Sequence, residues 1–389
     1  MADKRFMKLR KVHGKIHDYL EIKKAQLRFE KLVNRGYADS IKSSKTKKES
    51  TEDYPVDFVI LWVDGNDPKW IAERQKYINN NLENLTNNTE ARWREWDNLQ
   101  YWFRGVEKYA PWVRNIYFVT WGHIPTWLNI FNPKLKIINH KEFIPDIYLP
   151  TFCTNPIELN LWRINGLSEH FVYFNDDMFL SRPVSKEDFF HNGFPKYSAI
   201  AKPIFPFSNM TTWEHQQFNV AGVVNSLFDI KRVIEEHPEK WFSYKYKDDV
   251  KYNVRAYEDG KISGMIYSHL GAPCRVSTMS EVWSVVGEQL DKTCMHKFRT
   301  MGDLVFQLFE LWEIYKGSFE PVESNYYGFA ANILPQNIGF FKEQILNKQN
   351  RMICINDSEQ LEPVYFDDLK EKIVQIFIDK FPEKSSYEL

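Results

Sequence analysis

Phe171-Val172-Tyr173-Phe174 runs into Asn175-Asp176-Asp177, so two carboxylates stand side by side at the end of an apolar, strand-like segment. Like charges held together call for a cation, and magnesium is the natural guest; the plainer alternative is a solvated turn with one Asp capping a helix. The run Arg351-Met352-Ile353-Cys354-Ile355 ends the same way, in Asn356-Asp357, and Asp357 paired with Asp177 would complete an oxygen-rich metal site. Nearer the N-terminus, Trp62-Val63-Asp64-Gly65-Asn66-Asp67-Pro68 closes another apolar run. Here Gly65 permits a tight turn, Asp67 can cap a helix and Pro68 can open it, which leaves Trp62 to stack a base and Asp64 to take ribose hydroxyls. In His296-Lys297-Phe298-Arg299 the imidazole could act as a base and the guanidinium could neutralise phosphate, if the segment faces the acidic strand ends rather than forming a charged helix face. Further phosphate ligands would come from Arg92, Arg94, Arg104 and Arg163.

These residues need a scaffold. The runs 57–63, 115–120, 134–139, 170–174 and 351–355 read as buried strands, and helical periodicity over 67–83 and 96–109 alternates with the first of them. That alternation predicts an α/β fold with a mostly parallel sheet and flanking helices, which binds ligands at the carboxyl ends of its strands. A helical lobe is expected at about 210–340, within a catalytic domain spanning 54–389. Ahead of it, residues 1–39 carry apolar positions 9, 12, 16, 20, 27 and 33 among Lys and Arg, a basic amphipathic helix, and 40–53 read as a flexible Ser/Lys linker.

The chain has 389 residues, 43% of them hydrophobic and 16% aromatic, which excludes global disorder and a small stapled scaffold. Residues 1–50 hold 15 Lys/Arg against 6 Asp/Glu, so the net charge of −1 divides into a tail of +9 and a body of −10. So acidic a body argues against nucleic acid as a partner, while the tail suits an anionic membrane surface or a partner-packing role. No membrane-spanning run or signal-peptide core is visible, which points to a cytoplasmic protein, peripheral on the inner face of the plasma membrane. The four cysteines show no metal or disulfide spacing and read as reduced thiols. Phosphate-loop, dinucleotide-fingerprint, nucleophile-elbow and zinc-hydrolase strings are all missing.

Four blocks in order carry a resemblance: FVILWVDGNDPKW at 58–70; 92–128 continuing through 149–180; KTCMHKFRTMGDL at 292–304; and MICIND at 352–357. In them the chain resembles the Stealth-type phosphotransferases of capsular polysaccharide and of lysosomal-enzyme N-acetylglucosamine-1-phosphate transfer. It departs from their pattern at Asn66 and at Trp102, each standing where the family usually has Ser. The Trp102 change is expected to reshape a substrate pocket. The resemblance implies a nucleotide-sugar-transferase-like fold and transfer of hexose-1-phosphate or N-acetylhexosamine-1-phosphate from a UDP-sugar to a hydroxyl of an acceptor glycan, possibly lipid-linked, with release of UMP. On that basis Asp176, Asp177 and Asp357 would hold Mg²⁺ or Mn²⁺, His296 would be the base and Arg299 the charge stabiliser. Trp62, Asp64, Gly65 and Asn66 would line the nucleoside pocket, with Arg92, Asn98, Arg104, Arg163 and Asn175 around diphosphate and sugar. The competing readings are a metal-dependent glycosyltransferase releasing UDP and an inactive, membrane-docked assembly partner. A homo-oligomer is left open.

Overall fold

The computed structural model describes residues 2–46, 53–78, 94–208 and 210–389. Five strands form the central sheet: β1 (Val56–Leu61), β2 (Ile116–Thr120), β3 (Leu135–Asn139), β4 (His170–Phe174) and, after three others in the chain, β8 (Ala272–Arg275), in the order β3-β2-β1-β4-β8. The first four are parallel, and β8 is an antiparallel edge strand that tolerates Pro273 there. Every residue of β1 and β2 is buried, because both faces of the sheet are covered. Val59, Leu61, Phe171 and Tyr173 face a core shared with the helical lobe, whereas Phe58, Ile60, Val172 and Phe174 face a second core.

That second core is closed by another sheet, in which β5 (Met178–Leu180) pairs antiparallel with β11 (Met352–Asn356), itself parallel to β10 (Gly328–Asn332). A minor sheet joins β6 (Phe190–His191), β7 (Phe194–Tyr197) and β9 (Glu320–Pro321). The strand predicted at 351–355 therefore exists but belongs to the second sheet. The lobe, with helices Thr212–Leu227, Val250–Asp259, Val276–Cys294 and Gln307–Tyr315, stops short of the expected 340: Gly328–Asn332 is a strand, and Tyr327 and Ile333 pack in the second core. Trp102, expected to shape a pocket, is fully buried there against Phe103 and Phe174.

At the amino edge of the sheet, buried Asp57 binds Arg114 through both oxygens and accepts from Asn115 N and Ser168 N, at 3.1 and 2.8 Å. One acid thus ties the starts of β1, β2 and β4, leaving the carboxyl edge for chemistry. The N-terminal helix runs from Ala2 to Thr46, so residues 40–46 continue the helix instead of forming a linker; 47–52 lie outside the described residues. Packing explains the difference. Phe29 stacks on Tyr257, Ser40 is buried and accepts from Tyr244 N, and a Cβ on Gly36 would meet Pro238 O at 2.4 Å. Among the described residues no helix is long and apolar enough to cross a membrane. All four cysteines are free and buried.

Candidate active site at the carboxyl ends of β1 and β4

The turn after β1 is built locally. Asp64 Oδ1 accepts from Asn66 N at 2.9 Å, bending the chain at Gly65, and Asp67 caps the helix Pro68–Gln75 by accepting from Lys69 N and Trp70 N. His123, which sequence reasoning passed over, locks this turn: its Nε2 accepts from Asp64 N at 2.8 Å, so the proton sits on Nδ1, 3.5 Å from Asp67 Oδ2. Desolvation lowers the His123 pKa, which keeps the ring neutral for that role. Trp62 is partly committed, since Phe118 covers one face of its ring and its Nε1 donates to Glu95.

The turn after β4 passes the chain from one sheet to the other, because Asp177 O accepts from Ile355 N at 2.9 Å. That bond brings Cys354 beneath the carboxylates. His269 arrives from the other side: β8 pairs with β4 so that Ala272 lies opposite Tyr173, and His269, three residues earlier, reaches the strand end. Its Nε2 is 3.8 Å from Asp177 Oδ2, and its side chain is 41% exposed. One donor atom each from Asp177, His269 and Cys354 lies within 4.8 Å of the others. Asn175 is oriented by Tyr173, whose hydroxyl also donates to Glu158 at 2.7 Å.

Asp176 keeps access to solvent, but protein around it removes enough water, with added repulsion from Asp177 and Glu95, to push its carboxyl up to about 8. Desolvation likewise raises Glu95. At His269 desolvation works against the charged form, yet hydrogen bonding and attraction to Asp177, with Glu158 behind, hold its pKa above the ordinary value. Desolvation and Asp177 raise the Cys354 thiol well above its usual range, so it stays protonated and donates to Asn356 Oδ1 at 3.1 Å. Asp177 Oδ1 is buried with no hydrogen-bond partner. An unpaired carboxylate oxygen beside a second carboxylate suits a hard divalent cation.

Asp357 does not join it. Arg94 takes both of its oxygens, from Nε at 2.8 Å and Nη2 at 2.5 Å, and Trp96 Nε1 adds a third bond at 3.2 Å. Arg104 is also engaged elsewhere, with Glu388 at 2.8 and 2.6 Å and Phe381 O at 2.7 Å. Arg163 lies over the rings of Trp162 and Trp283 and donates to Asn160, and Asn98 is buried at the start of the helix Leu99–Tyr109. Arg92 lies outside the described residues.

The segment 296–303 is anchored by fully buried Asp303, which accepts from Asn155 Nδ2 at 2.9 Å, from Thr300 N and Oγ1 at 2.8 and 2.7 Å, and pairs with His296 Nδ1 at 2.7 Å. Arg299 bonds Thr154 Oγ1 at 3.1 Å, and its charge opposes protonation of His269. Arg299 therefore lies within electrostatic reach of His269, which adjoins the acidic turn. His269 and Asp303 were the signals missed: nothing local marks His269, whose position follows from an antiparallel edge strand that the alternating pattern does not reveal.

The family models for Stealth protein conserved regions 1 and 2 match residues 54–82 and 92–197, which carry the β1 turn and the β4 turn. Over 335 residues the chain is 40% identical to a capsular polysaccharide phosphotransferase of Streptococcus pneumoniae, covering 86% of this chain and 98% of that protein. The chain belongs to the Stealth family. It is also 38% identical to a receptor polysaccharide phosphotransferase of Streptococcus gordonii, over 86% of this chain and 99% of that one. An exopolysaccharide phosphotransferase of Lactiplantibacillus plantarum is 35% identical, with 86% and 96% covered. This Stealth protein is accordingly a transferase. His269 and Arg299 lie outside both matched regions, so the candidate site draws on residues that the two conserved regions do not contain.

Proposed function

We propose that this Stealth protein transfers hexose-1-phosphate or N-acetylhexosamine-1-phosphate from a UDP-sugar to a hydroxyl of an acceptor glycan, in the synthesis of a capsular or other cell-surface polysaccharide. The observation that supports this reading most is the buried, unpartnered Asp177 Oδ1 set against His269, with Arg299 in electrostatic reach. Phosphoryl transfer needs positioning and charge more than covalent help, and those groups supply both. The acceptor oxygen attacks the sugar-bearing phosphorus, the bond from that phosphorus to the UMP oxygen breaks, and the acceptor proton passes to a base. His269 fits the base better than His296, because it adjoins the acidic turn and its raised pKa makes it a stronger proton acceptor. His296, held by Asp303, is then a positioning residue for the segment that carries Arg299. A divalent cation, Mg²⁺ or Mn²⁺, on Asp176 and Asp177 would offset the negative charge of the diphosphate. The Asp64–Asn66 turn would receive the nucleoside.

The test is the nucleotide released. With protein, magnesium, a panel of UDP-hexoses and oligosaccharide acceptors, UMP should accumulate with the phosphodiester product. UDP without UMP would make the protein an ordinary glycosyltransferase.

A further inference from the structure

The helix Ala2–Thr46 has two differently used faces. Among the described residues it meets the body through Phe29, Leu32, Val33, Gly36 and Ser40, which fall in one sector of the helix. At about 100° per residue, positions 9, 12, 16, 20 and 27 fall in another sector, turned about 150° from the first. Leu20 and Leu27, the two of these whose side chains are described, are 50% and 55% exposed. The apolar stripe of the N-terminal half is thus not a continuation of the face that docks on the lobe. Residues 1–28 around it carry nine Lys/Arg against three Asp/Glu.

We propose that this second face lies on an anionic lipid surface, and that the helix is a strut fixed to the catalytic body, not a loose tether. Apolar positions in register with Leu20 and Leu27 would enter the interface while Lys and Arg meet lipid phosphates. Lipid is favoured over a soluble partner by charge: the tail carries +9 and the body −10, so an anionic surface attracts one and repels the other, leaving contact to the helix. Roughly 40 Å of helix precedes Phe29, at 1.5 Å per residue. With its apolar stripe on lipid and its docking sector turned away, a helix fixed to the body through Phe29 and Gly36 would carry the body about one helix diameter, roughly 10 Å, above the surface. The inference does not depend on which bond of the donor is broken.

The test is co-sedimentation of the full chain with vesicles of phosphatidylcholine alone or with 30% phosphatidylglycerol. Binding should require phosphatidylglycerol and fall steeply between 50 and 500 mM salt, as the Debye length shrinks from about 14 Å to about 4 Å. Positions 5 and 23 fall within about 30° of the centre of the apolar stripe, and each basic residue near such a surface is worth roughly fivefold, so Arg5→Glu with Lys23→Glu should weaken binding at least about 25-fold. Leu20→Glu with Leu27→Glu should weaken it at both salt concentrations. Analytical ultracentrifugation of the same proteins without vesicles reports the main competitor. Equal binding to neutral vesicles, no binding at all, or a self-associated species abolished by the leucine pair with vesicle binding unchanged would each overturn the proposal, the last by showing that a second copy covers the face.

Discussion

Replacing Asp357 by Asn separates two roles that the residue cannot hold together. In the structure it is the bidentate partner of Arg94, and the two side chains are only 11% and 14% exposed. Arg94 has two further acceptors, Ser358 O at 2.9 Å and Leu361 O at 3.4 Å, so the amide would leave it partly bonded but without a counter-charge. Losing one partner of a buried pair costs about 3–5 kcal/mol, and the residual acceptors and slight exposure bring the expectation to about 3 kcal/mol. At about 2.1 cal/mol/K of unfolding entropy per residue, a body the size of residues 54–389 shifts by roughly 1.4 °C per kcal/mol, so Tm should drop by roughly 4 °C. The assays are thermal unfolding of the variant and its transfer rate below the transition as magnesium is varied. Asp357→Asn should be clearly destabilised yet keep an unchanged magnesium dependence, and Arg94→Met combined with Asp357→Leu should recover stability because no charge is left stranded. An unchanged Tm with activity lost and partly restored by excess magnesium would refute the argument and return Asp357 to the metal.

Asp177→Asn should abolish transfer while leaving the unfolding midpoint near that of the parent, since Oδ1 has no protein partner to lose, and chelation should act likewise; near-normal turnover at limiting magnesium would place the cation elsewhere. His269→Ala should lower kcat by about 10²–10⁴ with little change in donor binding, a larger loss than His296→Ala, and the reverse order would restore His296 as the base. Glu158→Gln removes a charge that raises the His269 pKa, so a limb of kcat/KM that requires neutral His269 should move to lower pH; a fixed limb would show that another group titrates. Arg104→Ala should destabilise the fold by releasing Glu388 and Phe381 O without raising KM for the donor.

What the chain discloses in one dimension is its short-range physics. The β1 and β4 runs are apolar because both faces are covered, and Asp67 with Pro68 caps and opens a helix as their local chemistry dictates. What it hides are partners far apart in sequence. Arg104 and Arg163 look alike as unplaced cations, yet one is neutralised 284 residues away by Glu388 and the other rests between two indoles. Residues 40–46 are polar enough to read as linker, but Ser40 is buried against the lobe, and tertiary packing, not propensity, decides whether such a stretch is helical. Asp357 misleads for a related reason: Asn-Asp at a strand end has the same spelling whether its carboxylate awaits a cation or already has Arg94.

The bond from Ile355 N to Asp177 O also sets a clock on biosynthesis. The acidic turn is stitched to a strand made 178 residues later, and at roughly 5–20 residues per second that interval lasts about 10–35 s. Throughout it the nascent chain can fold β1, β2 and β4 around the Asp57 clamp, but β5 has no partner. The carboxylates of Asp176 and Asp177 are therefore among the last features to take shape, and a ribosome that stops short of residue 355 leaves a product with the β1 turn and no finished acidic turn.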